Sequence, residues 1–436
     1  LIQTEITSIL PAEKVKQDKQ DHQLLGNNGE ITVFPTTEGE IANVLKFANE
    51  NGKKISIIGG GTKRGFGGLT EQTDIQLSMA NYTGITEHTP GDMTITVKAG
   101  TTFKELQDYL AKYSQKVSLD PSWPEYSTIG GIIASNESGP KRLGYGSSRD
   151  SVIGLRMVYP DGSVIRSGGK VVKNVAGYDM NKLFIGSMGT LGVVSEITLK
   201  LRPLPKYETL ILLSFPRVIQ EEMRSFVITL LDSVMEPVAL ELLSPAISKR
   251  LTGQNMYSLA ISFEDVESSV HYQEEFIKSI LPEGSILSIL PQAEAELFWE
   301  AFYRTVPNGA IDQQPIQITE AVLKIGVKNH DVFQVMKECE VLQKSISIEG
   351  HGGLGHGLCQ LTLKGTNSEV MTAIAHIRQV ISDLGGYTII KHLPYSLRQK
   401  TEVWGEIPSY FFLIEGIKAA VDPNRILNYK RYLGGI

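Results

Sequence analysis

The sequence holds only two cysteines in 436 residues, Cys339 and Cys359, and their spacing is not that of a metal site. A [4Fe–4S] cluster usually takes four thiolates, so this chain alone cannot supply one. We read both cysteines as reduced core thiols of a cytosolic protein. No uninterrupted apolar run approaches the roughly 18 residues of a membrane span, so no transmembrane helix is expected. The start, Leu1-Ile-Gln-Thr-Glu, lacks the basic beginning and apolar core of a signal peptide. A cytoplasmic location follows as the expectation, with a few residues, including an initiator Met, preceding Leu1. No excess of positive charge is present either: 42 basic against 48 acidic residues give −6. That balance offers no general attraction to nucleic acid or anionic lipid. Hydrophobic content of 41% and charged content of 21% are ordinary for a folded domain. The length exceeds one compact core and predicts two or more domains.

Two common nucleotide-binding fingerprints are also missing. No G-x-G-x-x-G has the Rossmann setting, and although Gly60 and Gly65 have the Walker gap, Phe66 and Gly67 follow where Lys and Ser/Thr are needed. What the chain has in abundance is glycine, 42 residues, much of it in three Gly/Ser/Thr-rich stretches. Residues 59–68 (GGGTKRGFGG) follow the apolar run 55–58. Residues 120–139 carry the Gly130–Gly131 pair, and residues 186–196 carry Gly186, Gly189 and Gly192. Glycine lets backbone amides approach a ligand closely, and successive free amides form concave nests for anionic oxygens. Three such loops beside β-like sequence predict a fold wrapped around a large phosphorylated cofactor.

The order of these motifs resembles the FAD-binding domain of the vanillyl-alcohol oxidase (PCMH-type) superfamily. Gly59, Gly60, Gly61 and Thr62 come first, then Ser127 to Gly131 with Asn136 to Gly139, then Gly186 to Gly192. Tyr145-Gly146, Asp150 to Leu155 and Asp161-Gly162 fit the same pattern. Residues 174–179 (NVAGYD) and 182–186 (KLFIG) bring it nearer to the glycolate oxidase and D-lactate dehydrogenase branch. Val403 to Gly405, Val421 to Pro423, Ile426 to Asn428 and the terminal Gly434-Gly435-Ile436 resemble the E-like FAD-binding subunit of glycolate oxidase. The resemblance is strong over 30–205, moderate over 391–436 and thin between them.

The fold class it implies is α+β: a two-subdomain PCMH-type FAD-binding domain with a ferredoxin-like α+β cap. The expected divisions are a lead-in (1–30, with Lys14, Lys16, Asp18, Lys19 and Asp21), the FAD domain (31–205), the cap (206–400) and a C-terminal segment returning to the FAD domain (401–436). The residues give their own local reading. Thr37 and Glu40, then Thr102 and Glu105, have capping-box spacing. Ile41, Val44, Leu45 and Ala48 make one helical face, as do Phe103, Leu106 and Leu110. Strands are expected at 31–34, 55–58, 94–98, near 152–159 and near 193–201. Beyond the boundary at Arg202 to Pro205, strands are expected at 210–213, 258–263, 286–290, 321–327, near Ile346 and at 358–363. Helices are expected at 218–234, 266–280, after Asn329 and from Asn367 or Ser368. This mixture predicts an antiparallel sheet with helices on one face.

For the cofactor, the resemblance implies FAD contacts from Ile58, Gly59, Gly60, Gly61, Thr62 and Lys63, the last supported by Arg64. Further contacts are implied from Ser122, Tyr126, Ser127, Thr128, Gly130, Gly131, Ser135, Asn136, Ser138 and Gly139. Gly189, Thr190, Gly192, Val193, Val194 and Asn428 complete the set, although Tyr429-Lys430 replaces the usual Pro-Gly after that asparagine. Thr62 stands where many members carry a histidine bonded to the flavin, so non-covalent FAD is expected. Trp123 and Tyr126 are candidates to pack over the flavin ring, with core packing the equal alternative.

On the catalytic side, many relatives have a His-x-Gly-x-Gly-Asn-type segment with metal-binding residues downstream. The stretch 350–357 (GHGGLGHG) keeps His351 but has His356 in place of Asn and Leu354 in place of a polar residue. Lys391-His392-Leu393 lies near where the D-type subunit has Glu-His-Gly. His351 and His356 are the catalytic candidates, the alternative being a glycine-rich turn with two half-exposed imidazoles, and no complete metal site is expected. Arg378 and Arg398 are candidates to bind a substrate carboxylate. The reading is an FAD-dependent oxidoreductase subunit of glycolate oxidase type, acting on a 2-hydroxy acid and passing electrons to an iron–sulfur partner beside a D-like flavoprotein. Such partners would place it at the periphery of the inner membrane. Alternatives are a self-sufficient D-2-hydroxy-acid dehydrogenase and a non-catalytic FAD-holding assembly subunit.

Overall fold

The computed structural model describes residues 2–17, 24–70, 72–170, 178–217, 220–311 and 318–436. Residues 174–177 of the motif at 174–179 lie outside them, as do Asp18, Lys19 and Asp21. The chain forms a four-stranded sheet, a five-stranded sheet and an eight-stranded sheet, with a two-stranded ribbon between Gln115–Lys116 and Arg202–Pro203. In the first, Asn28–Val33 and Ile55–Ile58 run parallel to Gln72–Ser78, with Val15–Gln17 antiparallel at the edge. The helix Glu38–Glu50 makes the connection that parallel strands require. It opens on the Thr37/Glu40 capping box and buries Ile41, Val44, Leu45 and Ala48. The second sheet is antiparallel, in the order Ile85–Thr89, Thr94–Lys98, Val193–Lys200, Val152–Val158 and Val164–Gly168. The helix Phe103–Ala111 starts at the Thr102/Glu105 box and buries Phe103, Leu106 and Leu110. Both sheets share one apolar core, and Ile426 and Leu427 from the far end of the chain are part of it.

The segment 129–135 departs from expectation. Sequence places it in a glycine loop, whereas Ile129–Ser135 is a helix capped by Thr128, whose hydroxyl accepts from the amide of Gly131. Ile129, Ile132 and Ile133 are buried in the shared core, and that packing overrides the glycine pair's poor helix propensity.

The third sheet is antiparallel throughout. Its order is Ile286–Pro291, Tyr207–Phe215, Tyr257–Asp265, Ala239–Leu243, Ser347–Gly353, Leu358–Gly365, Thr319–Gly326, Tyr387–His392. Strand alternation sends Ile211, Leu213, Leu323, Ile325, Leu361 and Leu363 to one face. There they meet helices that include Glu267–Ser279, Val332–Leu342 and Asn367–Asp383. The last is capped by Thr366 rather than by Asn367 or Ser368. The expectation of helices on one face only is not met. Leu210, Leu212, Ala239, Leu243 and Ala260 project to the opposite face and are covered by Pro245–Thr252 and Gln292–Tyr303. These two helices, and the strand Ala239–Leu243 beneath them, were not anticipated. They cover one part of that face, and another part carries polar side chains into a cavity shared with segments of the first two sheets' unit.

Candidate active site

Two cavities with shared lining residues lie between the glycine-rich segments and the polar half-face of the third sheet. The first is an open cleft with about 860 Å³ of free space, open solvent included. Ile58, Gly59, Gly60, Gly61, Thr62, Lys63, Thr128, Gly130, Gly131, Ser135, Gly189, Gly192, Val193, Val194 and Asn428 line it, so most of the expected cofactor residues converge here. The second, of about 1300 Å³, is lined by Ser122, Asn136, Ser138 and Gly139 together with Glu241, Lys324, His351, His356, Gln360 and Lys391. Lys63 and Ser135 line both. Tyr126, Ser127 and Thr190 line neither. Tyr126 is 43% exposed, Ser127 donates its hydroxyl to the carbonyl of Ser122, and Thr190 bonds the carbonyl of Ser187. Trp123 lines a smaller side cavity and donates its indole N–H to the carbonyl of Val306 at 2.8 Å.

The first loop is shaped from behind. The Arg398 side chain is buried and donates to the carbonyls of Gly65, Gly68, Leu393 and Leu25. Arg431 donates to those of Lys63 and Phe66, and Asn27 to those of Arg64 and Gly67. With loop carbonyls held on that side, the amides of Gly60, Gly61, Thr62 and Lys63 give no hydrogen bond to another group among the described residues. That is the arrangement of an anion nest. At Gly60 a Cβ would come within 1.6 Å of the Tyr126 carbonyl oxygen, so only glycine permits this approach. Asn428 ties the third loop in: its amide nitrogen donates to the carbonyl of Met188 at 2.5 Å and its oxygen accepts from Ile57 N–H at 2.7 Å. Buried Lys418 donates to the carbonyl of Thr190 and to Asp422. Arg398 is therefore a loop clamp, and Arg378 donates to Thr401 and the carbonyl of Glu402, so neither arginine reaches the cavity.

A phosphate-bearing group fits these surfaces. Among the described residues the amides of four cleft-lining residues have no partner, a Cβ on Gly131 would meet only the Thr128 hydroxyl, and the buried side-chain oxygen of Asn136 has no partner. Asp120 braces the Asn136–Gly139 wall by accepting from the amides of Gly139 and Lys141, both at 2.7 Å. Burial pushes its carboxyl up to about 6 despite those bonds.

The polar half-face is a row across adjacent strands. Register places Lys324 opposite Gln360, and Gln360 opposite His351. Glu241, one strand further, accepts from His351 Nδ1 at 2.8 Å, and its other oxygen lies 3.5 Å from His356 Nε2. Burial alone would raise the Glu241 carboxyl, but the two imidazoles outweigh it and hold it below the usual range. Gln360 bridges His351 Nε2 at 3.3 Å and Lys391 Nζ at 3.2 Å. Phe302 packs edge-on to the His351 ring, with centroids 4.6 Å apart. The Lys324 ammonium has no hydrogen bond or ion pair among the described residues. Burial, with repulsion from Lys391 and Arg142, brings its ammonium down to about 8. The sequence reading does not single out Glu241, Gln360 or Lys324, although a charge inside the apolar runs 239–243 and 321–326 was an available signal.

A divalent-metal site does not fit this donor set. Both Glu241 oxygens face imidazoles, and a lysine stands at 391, near where the D-type subunit has its acidic motif. Among the described residues no three His, Cys, Asp or Glu side chains form a metal-holding group.

The fold and the glycine-lined cleft are those of an FAD-binding protein. Residues 30–168 match the family model described as FAD binding domain. The structure superposes on p-cresol methylhydroxylase with a TM-score of 0.75 at 15% identity, covering 98% of this chain and 95% of that one. Among relatives in sequence, the mitochondrial D-lactate dehydrogenase [cytochrome] of Arabidopsis thaliana is 29% identical over 76% of this chain; the chain spans 59% of that protein's length. Glycolate oxidase subunit GlcD of Bacillus subtilis is 28% identical over 92% of this chain and 88% of its own. Glycolate oxidase subunit GlcE of Escherichia coli is 37% identical over 34% of this chain and 43% of its own. No helix among the described residues is long and apolar enough to cross a membrane.

Proposed function

We propose that the chain binds FAD without a covalent bond and oxidises a small 2-hydroxy acid, glycolate or a lactate-like relative, to the 2-oxo acid. One observation carries this reading: the cavity holding His351, Glu241 and Lys324 shares Lys63 and Ser135 with the glycine-lined cleft. The loop amides of residues 60–63 would hold the pyrophosphate, and Ser135, Asn136, Ser138 and Gly139 the part of the cofactor nearest the second cavity. FAD supplies the two-electron acceptor for the hydrogen leaving the carbinol carbon. Lys324, a cation without a protein partner, binds the substrate carboxylate. His351 takes the hydroxyl proton at Nε2, and Glu241 at Nδ1 steadies the charge that develops there. His356 accepts the Leu358 amide at Nδ1 and turns Nε2 to Glu241, so it supports the carboxylate rather than acting as the base.

Electrons would leave to a separate iron–sulfur protein, because the chain's two cysteines are both buried and too few for a cluster. The similarity to GlcE and the E-like C-terminal motifs favour a subunit beside a D-like flavoprotein. A self-sufficient dehydrogenase is the second reading, favoured by a cofactor cleft and a base in one chain and by the near full-length alignment with GlcD.

Anaerobic addition of glycolate or D-lactate to the purified flavoprotein tests the proposal. Bleaching of the flavin by either supports it, and no bleaching by both, with FAD bound, removes it. Among the described residues no histidine or cysteine lines the cleft. Acid precipitation should therefore release all yellow colour to the supernatant, and flavin left in the pellet would contradict non-covalent binding.

A further inference from the structure

We infer that Lys391 and Gln360 do for His351 what a metal does in a metal-dependent site: they fix which ring nitrogen is free and keep a positive charge beside it. The inference rests on the proposed role of His351 as base. Its starting point is that a lysine ammonium can only donate. Lys391 Nζ lies 3.2 Å from the Gln360 side-chain oxygen, which must therefore be the acceptor. This fixes the amide orientation and turns the Gln360 nitrogen, a donor only, toward His351 Nε2 at 3.3 Å. Two N–H groups cannot face each other there, so Nε2 carries the lone pair. The ring proton sits on Nδ1 and is given to Glu241 at 2.8 Å.

The four residues form a directed chain that spans five neighbouring strands, Lys391 reaching Gln360 past the strand Thr319–Gly326, and each group permits only one orientation of the next. The result is an imidazole whose basic nitrogen faces the cavity, obtained without a divalent cation. Gln360 occupies that nitrogen only at long range and gives way when a substrate hydroxyl arrives. The hydroxyl O–H bond then breaks and an N–H bond forms at Nε2; FAD, when bound, would supply the acceptor for the hydride and its electron pair leaving the carbinol carbon. Lys391 is a positioning residue here. It lies within electrostatic reach of Glu137 and Lys63 beside the flavin cleft.

The test uses the FAD-loaded protein and three readouts. Metal analysis should find no stoichiometric divalent ion, and treatment with EDTA should leave substrate-driven flavin reduction unchanged. Histidine-selective nitrogen NMR, with His351 assigned by loss of its signal in His351→Gln, should show the neutral Nδ1–H form. Lys391→Met should lose that single form and slow flavin reduction by about 10- to 100-fold, the usual cost of losing a partner that orients a reacting group. Lys391→Arg, which keeps the donor, should restore both. One bound metal equivalent whose removal stops reduction would overturn the inference, as would an unchanged His351 form in Lys391→Met. If no 2-hydroxy acid reduces the flavin, the functional reading fails, and the metal content and the His351 form still decide this inference.

Discussion

Lys324 projects from the strand Thr319–Gly326 between Leu323 and Ile325, which face the core, so its ammonium can only enter the cavity. A buried cation without a partner is costly, and an anionic ligand relieves that cost when it arrives. Burial is the main cause of its lowered value, followed by Lys391 and Arg142, with Glu137 acting the other way. The charged form therefore prevails below about 8 and the amine above it. An anionic substrate binds the charged form, so KM should be level at neutral pH and rise above about 8, by up to about tenfold per pH unit. Lys324→Met should raise KM by about 30-fold, corresponding to ~2 kcal/mol for a desolvated charge pair, and flatten the alkaline rise. Steady-state KM across pH checks both, and an unchanged alkaline limb in the variant would remove Lys324 from the carboxylate site.

The helix Ile129–Ser135 is the element on which cofactor binding turns. Gly130 is required by packing, because a Cβ there would sit 2.7 Å from that of Ala99. Gly131 differs: its backbone is helical, and a Cβ would meet only the Thr128 hydroxyl at 3.2 Å, with the cleft beyond. Gly131→Val should abolish FAD binding while leaving the flavin-free protein's unfolding temperature nearly unchanged. Valine is no poorer a helix former than glycine, so the loss would come from bulk in the cleft. Flavin occupancy after purification checks it, and normal occupancy would show that this turn does not face the cofactor. Local sequence carried some elements and not others. The capping boxes at Thr37 and Thr102 were legible because cap and apolar stripe are close in sequence. The helix at 129–135 was not, because its stability comes from isoleucines packed on strands distant in sequence. The site divides the same way. The glycine loops announce themselves, but the Glu241–His351–Gln360–Lys391 chain exists only through strand register between segments up to 150 residues apart in number (391 − 241 = 150).

At the scale of the whole molecule, the cavity exists because the third sheet is held against the first two. A buried charge cluster forms part of that junction. Glu264 accepts from Lys116, from Lys141 at 2.6 Å and from the Tyr145 hydroxyl at 2.5 Å, and Lys141 also reaches Glu208 at 2.7 Å. Burial would raise the Glu264 carboxyl, yet the Lys141 and Lys116 charges bring it down to about 2. A carboxylate more acidic in the folded state adds stability above its ordinary value of 4.5, and that contribution is lost as pH falls toward about 2. Glu264→Gln should cost about 3 kcal/mol near neutral pH, since buried Lys116 loses its carboxylate and Lys141 keeps only Glu208. It should also reduce the acid dependence, as read from thermal unfolding across pH; an identical acid profile would contradict the assignment. The central claim is that cleft and cavity act as one oxidising site. Its most direct test is single-turnover anaerobic reduction of the bound flavin by glycolate and by D-lactate, in the native protein and in His351→Gln. The account predicts bleaching of the native flavin by at least one of these acids, and a variant that keeps its FAD but bleaches about 10²- to 10⁴-fold more slowly. Equal rates in the two proteins, or a native flavin that neither acid reduces, would contradict it.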